Sequence, residues 1–224
     1  MKILSISTSS NICAVAVLED KKLLKEYAQN NGLTHSVNLM PMIQKLLSDL
    51  QITLNDINLI VCDKGPGSFT GIRIGIATAK AFSDSVNIPA IGISSLEALA
   101  YNVHEPQVIC PMIDAKNDNV YVGVCENTSQ QCILRRDFSI ENIHEIIEEL
   151  KIAEYPITFV GDGAVNYKNE ILNQLPNSKF IDSNNLSAYN LGLAGFAKFA
   201  EGIHDDLLPL YLRKPQAELN LSKS

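Results

Sequence analysis

The chain has 224 residues, of which 46% are hydrophobic and 19% charged, a composition typical of a globular protein rather than a disordered one. The net charge of −7 argues against a chain that grips nucleic acid by itself, because a phosphate backbone attracts a basic surface. The five cysteines are scattered without a Cys-x-x-Cys spacing, which indicates buried thiols in a reducing compartment. Met1 leads directly into a short strand without a signal peptide, and no apolar run is long enough to span a membrane, so we expect a cytoplasmic protein.

The first half of the chain predicts three strands, followed by helices that alternate with strands. Apolar residues alternate along the strands and recur every three or four residues along the helices. The predicted strands are Lys2–Ser7, Cys13–Leu18, Leu23–Tyr27, Leu59–Asp63 and Ala90–Ile93. The predicted helices are Thr34–Leu50, with Thr34 as its N-cap, a helix that follows Gly71 to about Val86, and a helix from Ser95. The order is therefore βββαβαβα.

The second half repeats this order. Its predicted strands are Val108–Asp114, Val120–Glu126, Cys132–Phe138, Ile157–Val160 and Lys179–Ile181, and its predicted helices are Ile143–Leu150, Val165–Leu175 and Ala188–Glu201. Two successive βββαβαβα units indicate an internal duplication. We therefore predict an α/β fold of two ribonuclease H-like units, the plan of the actin/sugar-kinase/Hsp70 (ASKHA) superfamily, which binds ATP in the cleft between its halves.

The duplication also predicts two domains and a tail. The first domain spans residues 1–104 and the second spans residues 105–213, with a boundary near Asn102–Gln107, where His104-Glu105-Pro106 is typical of a linker. The last helix of the second domain could pack back on the first domain. Residues 214–224 form a polar tail that we expect to fray.

The segment Gly65–Gly75 (GPGSFTGIRIG) follows a buried strand and opens a helix, where backbone N–H groups can hold an anion. The Walker A pattern fails here, because Ile72-Arg73 stands after Gly71 instead of Lys-Ser/Thr. The dinucleotide fingerprint fails because Thr70 occupies the position of its third glycine. A tight turn with an N-cap from Ser68 or Thr70 is the simpler interpretation.

The helix after this turn and the helix Thr34–Leu50 each carry two apolar stripes. One stripe suits the sheet, and the second stripe, with its small residues, suits a partner helix. In the helix Thr34–Leu50 the side chains of Val37, Met40 and Met42 widen the apolar stripe beyond what one sheet needs. An ordinary two-sided core helix remains the alternative. The candidate partner-binding residues are His35, Leu39, Met42, Ile43, Leu46, Gly71, Ile72, Ile74, Gly75, Ala77, Thr78 and Ala81.

Residues that could face a cleft between the halves follow the first strand of each unit and the second glycine-rich turn. The candidates are Ser7, Thr8, Ser9, Asp114, Gly161 and Gly163. A turn-forming acid is an equally good interpretation of Asp114. The four histidines are far apart in the sequence, so no metal site is predicted. Ser94-Ser95 lacks the Gly-x-Ser-x-Gly context of a nucleophile and is interpreted as a helix cap, so no catalytic residue is assigned.

Six segments together resemble the TsaB (YeaZ) family, and the resemblance runs from Met1 to about Arg213. These segments are ILSISTS at 3–9, GPGSFTGIRIGIATAKA at 65–81, IPAIGISSLEALA at 88–100, IDAKNDNVYVGV at 113–124, GDGA at 161–164 and PLYLR at 209–213. The combination of GPGSFTGIRIG with SSLEALA is specific to the family.

The resemblance implies a non-catalytic subunit without a cofactor of its own. Its paralogue TsaD transfers the threonylcarbamoyl group to adenosine 37 of tRNAs reading ANN codons, and the ATPase TsaE joins the pair. The dimer forms through two helices that map to Thr34–Leu50 and Gly71–Val86, and the same face gives a homodimer when TsaB is alone. The chain would meet tRNA only within the complex, and no membrane is involved.

Four positions bear on whether this chain catalyses a reaction. Catalytic paralogues carry His-x-x-x-His where Ser95 and Leu99 stand here, and neither of these can ligate a metal. The family usually has Asp at the position of Ser7 and Arg at the position of Lys116. Losing the first carboxylate weakens the case for Mg-nucleotide binding. The alternative function is an ATP-dependent phosphotransferase of the same fold, which would use the cleft and the glycine-rich turns at 65–67 and 161–163.

Overall fold

The computed structural model describes residues 1–30, 34–105, 107–128, 132–153, 155–182, 184–203 and 206–213. The predicted polar tail 214–224, Pro106 of the predicted linker and His204 lie outside the described residues. Within the described part, no helix is both long and apolar enough to cross a bilayer.

The described chain forms ten strands and seven α-helices in an order that matches the sequence prediction closely. The strands are β1 (Lys2–Ser7), β2 (Cys13–Glu19), β3 (Lys22–Gln29), β4 (Leu59–Asp63), β5 (Ala90–Ile93), β6 (Gln107–Lys116), β7 (Asn119–Asn127), β8 (Cys132–Asn142), β9 (Ile157–Val160) and β10 (Lys179–Phe180). The helices are α1 (His35–Asp49), α2 (Phe69–Val86), α3 (Ser95–Ala100), α4 (Ile143–Leu150), α5 (Asp162–Asn166), α6 (Lys168–Gln174) and α7 (Ala188–Ala200).

The strands form two five-stranded sheets with one shared topology. The first sheet has the order β3-β2-β1-β4-β5, and the second has the equivalent order β8-β7-β6-β9-β10. In each sheet the first strand of the half pairs antiparallel with the second and parallel with the fourth, as in Leu4 opposite Ile60. The repeat confirms the predicted duplicated α/β architecture. The division into domains at residue 104 stays a prediction.

The two halves exchange their last helices. Helix α7 packs on β1 and β2 of the first sheet, and α3 packs on β6 and β7 of the second. Two side chains of the first sheet hold the start of α7. Ser5 Oγ donates to the carbonyl oxygen of Ala188, and Glu26 Oε1 accepts from Ser187 Oγ at 3.0 Å and from the N–H of Tyr189 at 3.1 Å. The other face of the first sheet is covered by α1 and α2.

The prediction of a single helix over Val165–Leu175 was wrong. The predicted helix Val165–Leu175 consists of two helices, α5 and α6, because Tyr167 between them has a non-helical backbone (φ −104°, ψ 16°). The first of them begins three residues earlier than predicted, after Gly161, whose φ of +108° a residue with a side chain would rarely adopt. Strand β8 also runs beyond the predicted end at Phe138, pairing with β7 up to Asn142.

The predicted caps have mixed outcomes. Of the two predicted candidates, Ser68 and Thr70, Ser68 is the N-cap of α2. Its Oγ accepts a hydrogen bond from the N–H of Gly71 at 3.2 Å. Thr34 stands at the N-cap position of α1, but its hydroxyl lies 3.0 Å from Ser36 Oγ rather than bonding a backbone N–H. Ser94 caps α3 by accepting from the N–H of Leu96 at 3.3 Å.

Candidate functional site

The outer face of α1 and α2 was predicted to bind a partner, and most of the residues assigned to it lie in the core. Seven of the twelve are buried in the folded chain: Leu39, Met42, Ile43, Leu46, Gly71, Ile72 and Gly75. The physical reason is that the sheet itself takes the wider apolar stripe of both helices. Apart from Ile43, which lines the groove described below, these residues offer almost no surface to a partner and are removed from the interface set.

The remaining five residues lie at or near the surface. Ala77 and Ala81 of α2 are exposed, while Ile74, Thr78 and His35 are half-buried. The ring of His35 is tied to the neighbouring loop, since its Nε2 donates to the carbonyl oxygen of Ser10 at 2.7 Å.

Other apolar side chains complete the exposed face. Val37 and Met40 of α1 are 57% and 50% exposed. A groove of about 380 Å³ is lined by Met40, Pro41, Ile43, Gln44, Leu47, Leu54 and Phe82. The twelve predicted interface residues include neither Val37 nor Met40. In the folded chain these two lie outside, whereas Met42 lies inside.

The glycine-rich turn that precedes α2 packs on the loop that follows β1. A methyl group added to Gly67 or Gly71 would lie 3.0 Å from the carbonyl carbon of Ser9 or Thr8, and closer still to the carbonyl oxygen. The N–H of Ser68 donates to the carbonyl of Ser9 at 2.7 Å, and Thr8 Oγ1 donates to the carbonyl of Gly71 at 2.8 Å. Both glycines therefore serve the close approach of two segments of the same chain. For Gly71 this corrects the predicted role as a contact for a partner helix.

Asp63, at the end of β4, is a fully buried carboxylate that is not among the predicted site residues. Its Oδ2 accepts from Ser7 Oγ at 2.9 Å, from Ser9 Oγ at 2.6 Å and from the N–H of Ser9 at 3.1 Å, and its Oδ1 accepts from the N–H of Thr8 at 3.2 Å. Burial raises the pKa of the Asp63 carboxyl, and these hydrogen bonds oppose the rise. An acid at the end of an apolar strand gives no sequence signal that separates it from a turn residue.

A cleft of about 430 Å³ lies between the halves. Of the six predicted cleft residues, Ser9 and Asp114 line it, whereas Ser7 and Thr8 are buried. Gly161 and Gly163 are buried against Met112, where the φ of Gly161 and the tight contact leave no room for a side chain.

The charged groups of the cleft come from the second half. The Asp114 carboxylate accepts from Lys116 Nζ at 2.6 Å and from Asn166 Nδ2 at 3.0 Å, and Asp162 Oδ1 accepts from the N–H of Asp114 at 3.0 Å. Partial burial acts to raise the pKa of Asp114, but the bonds from Lys116 outweigh it and hold that pKa below its usual value. Burial raises the pKa of Asp162. Asp114 thus faces the cleft as a paired carboxylate rather than as a free one.

Catalytic groups are sparse in the described residues. No group of three or more histidine, cysteine, aspartate or glutamate side chains there is placed to hold a metal ion. Ser95 is fully buried, and its Oγ lies 2.8 Å from Ser9 Oγ. Leu99, four residues later, is 2% exposed and packs in the core.

A family model described as TsaD, tRNA N6-adenosine threonylcarbamoyltransferase, matches residues 22–219 of this chain. The TsaB protein of Bacillus subtilis (strain 168), described as a tRNA threonylcarbamoyladenosine biosynthesis protein, is 34% identical over 97% of this chain and 96% of its own length. The chain belongs to the TsaB (YeaZ) family. This membership confirms the resemblance noted in the sequence and assigns the protein to tRNA threonylcarbamoyladenosine biosynthesis.

Solved structures agree with this family and its fold. A crystal structure from Pseudomonas aeruginosa, of an uncharacterized protein with similarity to peptidase YEAZ, is 26% identical, covers 95% of this chain and 99% of its own, and superposes with a TM-score of 0.79. The activator of the 2-hydroxyisocaproyl-CoA dehydratase from Clostridium difficile, solved with bound ADPNP, is 12% identical, covers 92% of this chain and 99% of its own, and has a TM-score of 0.54. The second likeness shows the fold alone and supports the predicted ASKHA fold for this TsaB protein.

Proposed function

We propose that this TsaB protein is a non-catalytic scaffold that dimerises with its catalytic paralogue TsaD, is joined by TsaE, and thereby supports N6-threonylcarbamoylation of adenosine 37 in tRNAs reading ANN codons. The protein works in the cytoplasm and meets tRNA only within the complex. The observation that carries the proposal is the exposed apolar face of α1 and α2.

This face has the properties of a helix-docking surface. Val37 and Met40 of α1 are half exposed, and Met40 lines the groove together with Phe82 of α2. The small residues Ala77 and Ala81 of α2 are exposed on the same helix as Phe82. Large side chains beside small ones allow a second pair of helices to approach closely and to bury apolar surface. A paralogue with the same two helices would present a matching surface.

The interior favours a scaffold over an enzyme. Ser95 and Leu99 stand where catalytic paralogues carry histidines, and both are buried. The donors of the loop after β1 are directed into the chain's own Asp63. A nucleotide phosphate would need such donors to be free, so this arrangement suits a rigid body that supports a partner's site.

The proposal is tested by mixing the purified chain with TsaD and TsaE, measuring the heterodimer by size exclusion with light scattering, and assaying modified tRNA. Met40→Asp and Ala77→Arg place charge on the exposed face without disturbing the core, and we expect both to abolish the heterodimer and tRNA modification. Ile152→Asp is the matched control, because Ile152 is 83% exposed in the second half. Retention of heterodimer and modification by both face variants would refute the interface.

The alternative is an ATP-dependent phosphotransferase, and the cleft is the observation that favours it. A distant relative of the same fold was solved with bound ADPNP, and this chain has a cleft of about 430 Å³ between its halves. Calorimetric titration of the isolated chain with Mg-ATP separates the two functions. Saturable binding with phosphoryl transfer would favour the enzyme, and an absence of heat at millimolar nucleotide would favour the scaffold.

A further inference from the structure

The polar cluster around Asp63 is a group of buried polar contacts in the first half that the proposed interface does not use. Four donors converge on one carboxylate: the N–H groups of Thr8 and Ser9 and the hydroxyls of Ser7 and Ser9. All of these residues are at most 3% exposed. We call the space that these four donors surround the loop pocket.

The loop pocket has the construction of an anion site. Successive backbone N–H groups that point into one concavity bind anions, and hydroxyl groups add further donors. The hydroxyl of Ser95 extends the set, since it lies 2.8 Å from Ser9 Oγ, whose own proton goes to Asp63. The donors therefore need an acceptor at their centre and bond a negative one most strongly, and Asp63 reaches that position from the neighbouring strand.

We propose that Asp63 is a built-in anion that fills the loop pocket and closes it to external oxyanions such as phosphate or a carboxylate. The pocket holds one carboxylate, because a second one within about 3 Å would repel the first. The side chain at position 7 is close enough to supply that carboxylate instead, since Ser7 Oγ lies 2.9 Å from Asp63 Oδ2. An aspartate side chain commonly accepts a hydrogen bond from the backbone N–H two residues further along the chain. For an aspartate at position 7 this donor is the N–H of Ser9, which in this protein donates to Asp63.

The filled pocket also fixes the chain around it. The loop Ser7–Ser9 lies under the first turn of α2, where Gly67 and Gly71 approach it, and it reaches the start of α3 through Ser95. An empty pocket would leave four buried donors without an acceptor, which is costly in a buried site. This inference concerns the interior and does not depend on the partner assignment, so a failure to bind TsaD would leave it standing.

Anion rescue of Asp63→Ala tests the proposal directly. Thermal unfolding is followed in sodium formate, in sodium phosphate and in sodium chloride at equal ionic strength. In chloride we expect the ratio of folded to unfolded Asp63→Ala to fall about tenfold or more relative to the wild type. We expect formate or phosphate to raise the melting temperature of this variant saturably, with no such rise in the wild type.

Val61→Ala is the matched control, because Val61 lies on the same strand and is fully buried but receives no hydrogen bond from the donors of the loop pocket. Its cavity is apolar, so formate and phosphate should stabilise it no more than chloride does. An anion response of Asp63→Ala that does not exceed that of Val61→Ala would overturn the proposal.

A second variant pair keeps the test decisive if Asp63→Ala does not fold in chloride. Ser7→Asp alone places two carboxylates in the pocket and should be less stable than the wild type. The double variant Ser7→Asp/Asp63→Ala restores one carboxylate and should be more stable than either single variant. A double variant that is no more stable than the more stable of the two single variants would contradict a pocket built for a single anion.

Discussion

Gly71→Ala distinguishes internal packing from a partner contact at the start of α2. In an open helix this change stabilises a protein by about 0.5–1 kcal/mol, because alanine restricts the unfolded chain. At Gly71 the added methyl group meets the carbonyl of Thr8, which is backbone and cannot rotate away. Overpacking of this kind costs about 1–3 kcal/mol, so we expect a net loss of unfolding free energy.

Urea unfolding of the isolated chain measures this loss. Gly75→Ala should cost less than Gly71→Ala, because its first neighbour is the Thr8 hydroxyl, with Cys62 Sγ next at 3.2 Å, and side chains can adjust. Ala81→Gly, on the exposed face of the same helix, reports the backbone propensity alone and should cost about 1 kcal/mol. If Gly71→Ala instead stabilised the chain like an open helix position, the close packing on the Thr8 loop would be refuted.

Two further predictions concern ionisation. Because Asp114 has a lowered pKa, the stability it contributes is present above the usual aspartate pKa and is lost as the pH falls through the pKa of the folded state. The substitution Lys116→Met should raise the Asp114 pKa in a carboxyl NMR titration. An unchanged Asp114 pKa would contradict the pairing. Burial raises the pKa of Cys13 to about 11, which makes its thiol a poor nucleophile. A thiol reagent should therefore label the half-buried Cys132 before Cys13 in the native protein. Fast labelling of Cys13 in the native protein would contradict its burial.

The secondary structure was predictable where the spacing of apolar residues and the length of the apolar run fit only one kind of element. Leu59–Asp63 is a strand with the predicted bounds, because a short run of apolar residues is bounded by turn residues. Ile143–Leu150 is a helix with the predicted bounds, because its apolar residues recur at helical spacing. The break at Tyr167 was not predictable, because the apolar pattern continues across it and only the tertiary packing of α5 against β6 decides where the first helix ends.

The candidate partner face was predicted in outline but not residue by residue. Apolar side chains surround much of α1, so their spacing alone cannot say which stripe meets the sheet. Met40 and Met42 have the same chemistry, yet one is 50% exposed and the other is 4% exposed. The glycines of α2 misled for a similar reason, since a small residue indicates a close neighbour without indicating whether that neighbour is the same chain.

Ser7 shows how a departure from a family motif can be misread from sequence alone. The loss of aspartate at this position suggested that a carboxylate had disappeared from the edge of the cleft. In the folded chain the Asp63 carboxylate lies beside Ser7 Oγ and receives the N–H groups of the same loop. A carboxyl group is therefore kept beside this loop, but it comes from β4 rather than from β1.

The two candidate functions make opposite demands on this loop. A nucleotide-binding protein needs the N–H groups after β1 to be free for a phosphate, whereas a scaffold needs them satisfied so that the start of α2 is held firmly. Here the Asp63 carboxylate satisfies them, and the turn at Gly67 and Gly71 packs directly on the loop that carries them. The same contacts that deny the loop to a phosphate thus fix the helix that carries Ala77 and Ala81, which favours the scaffold.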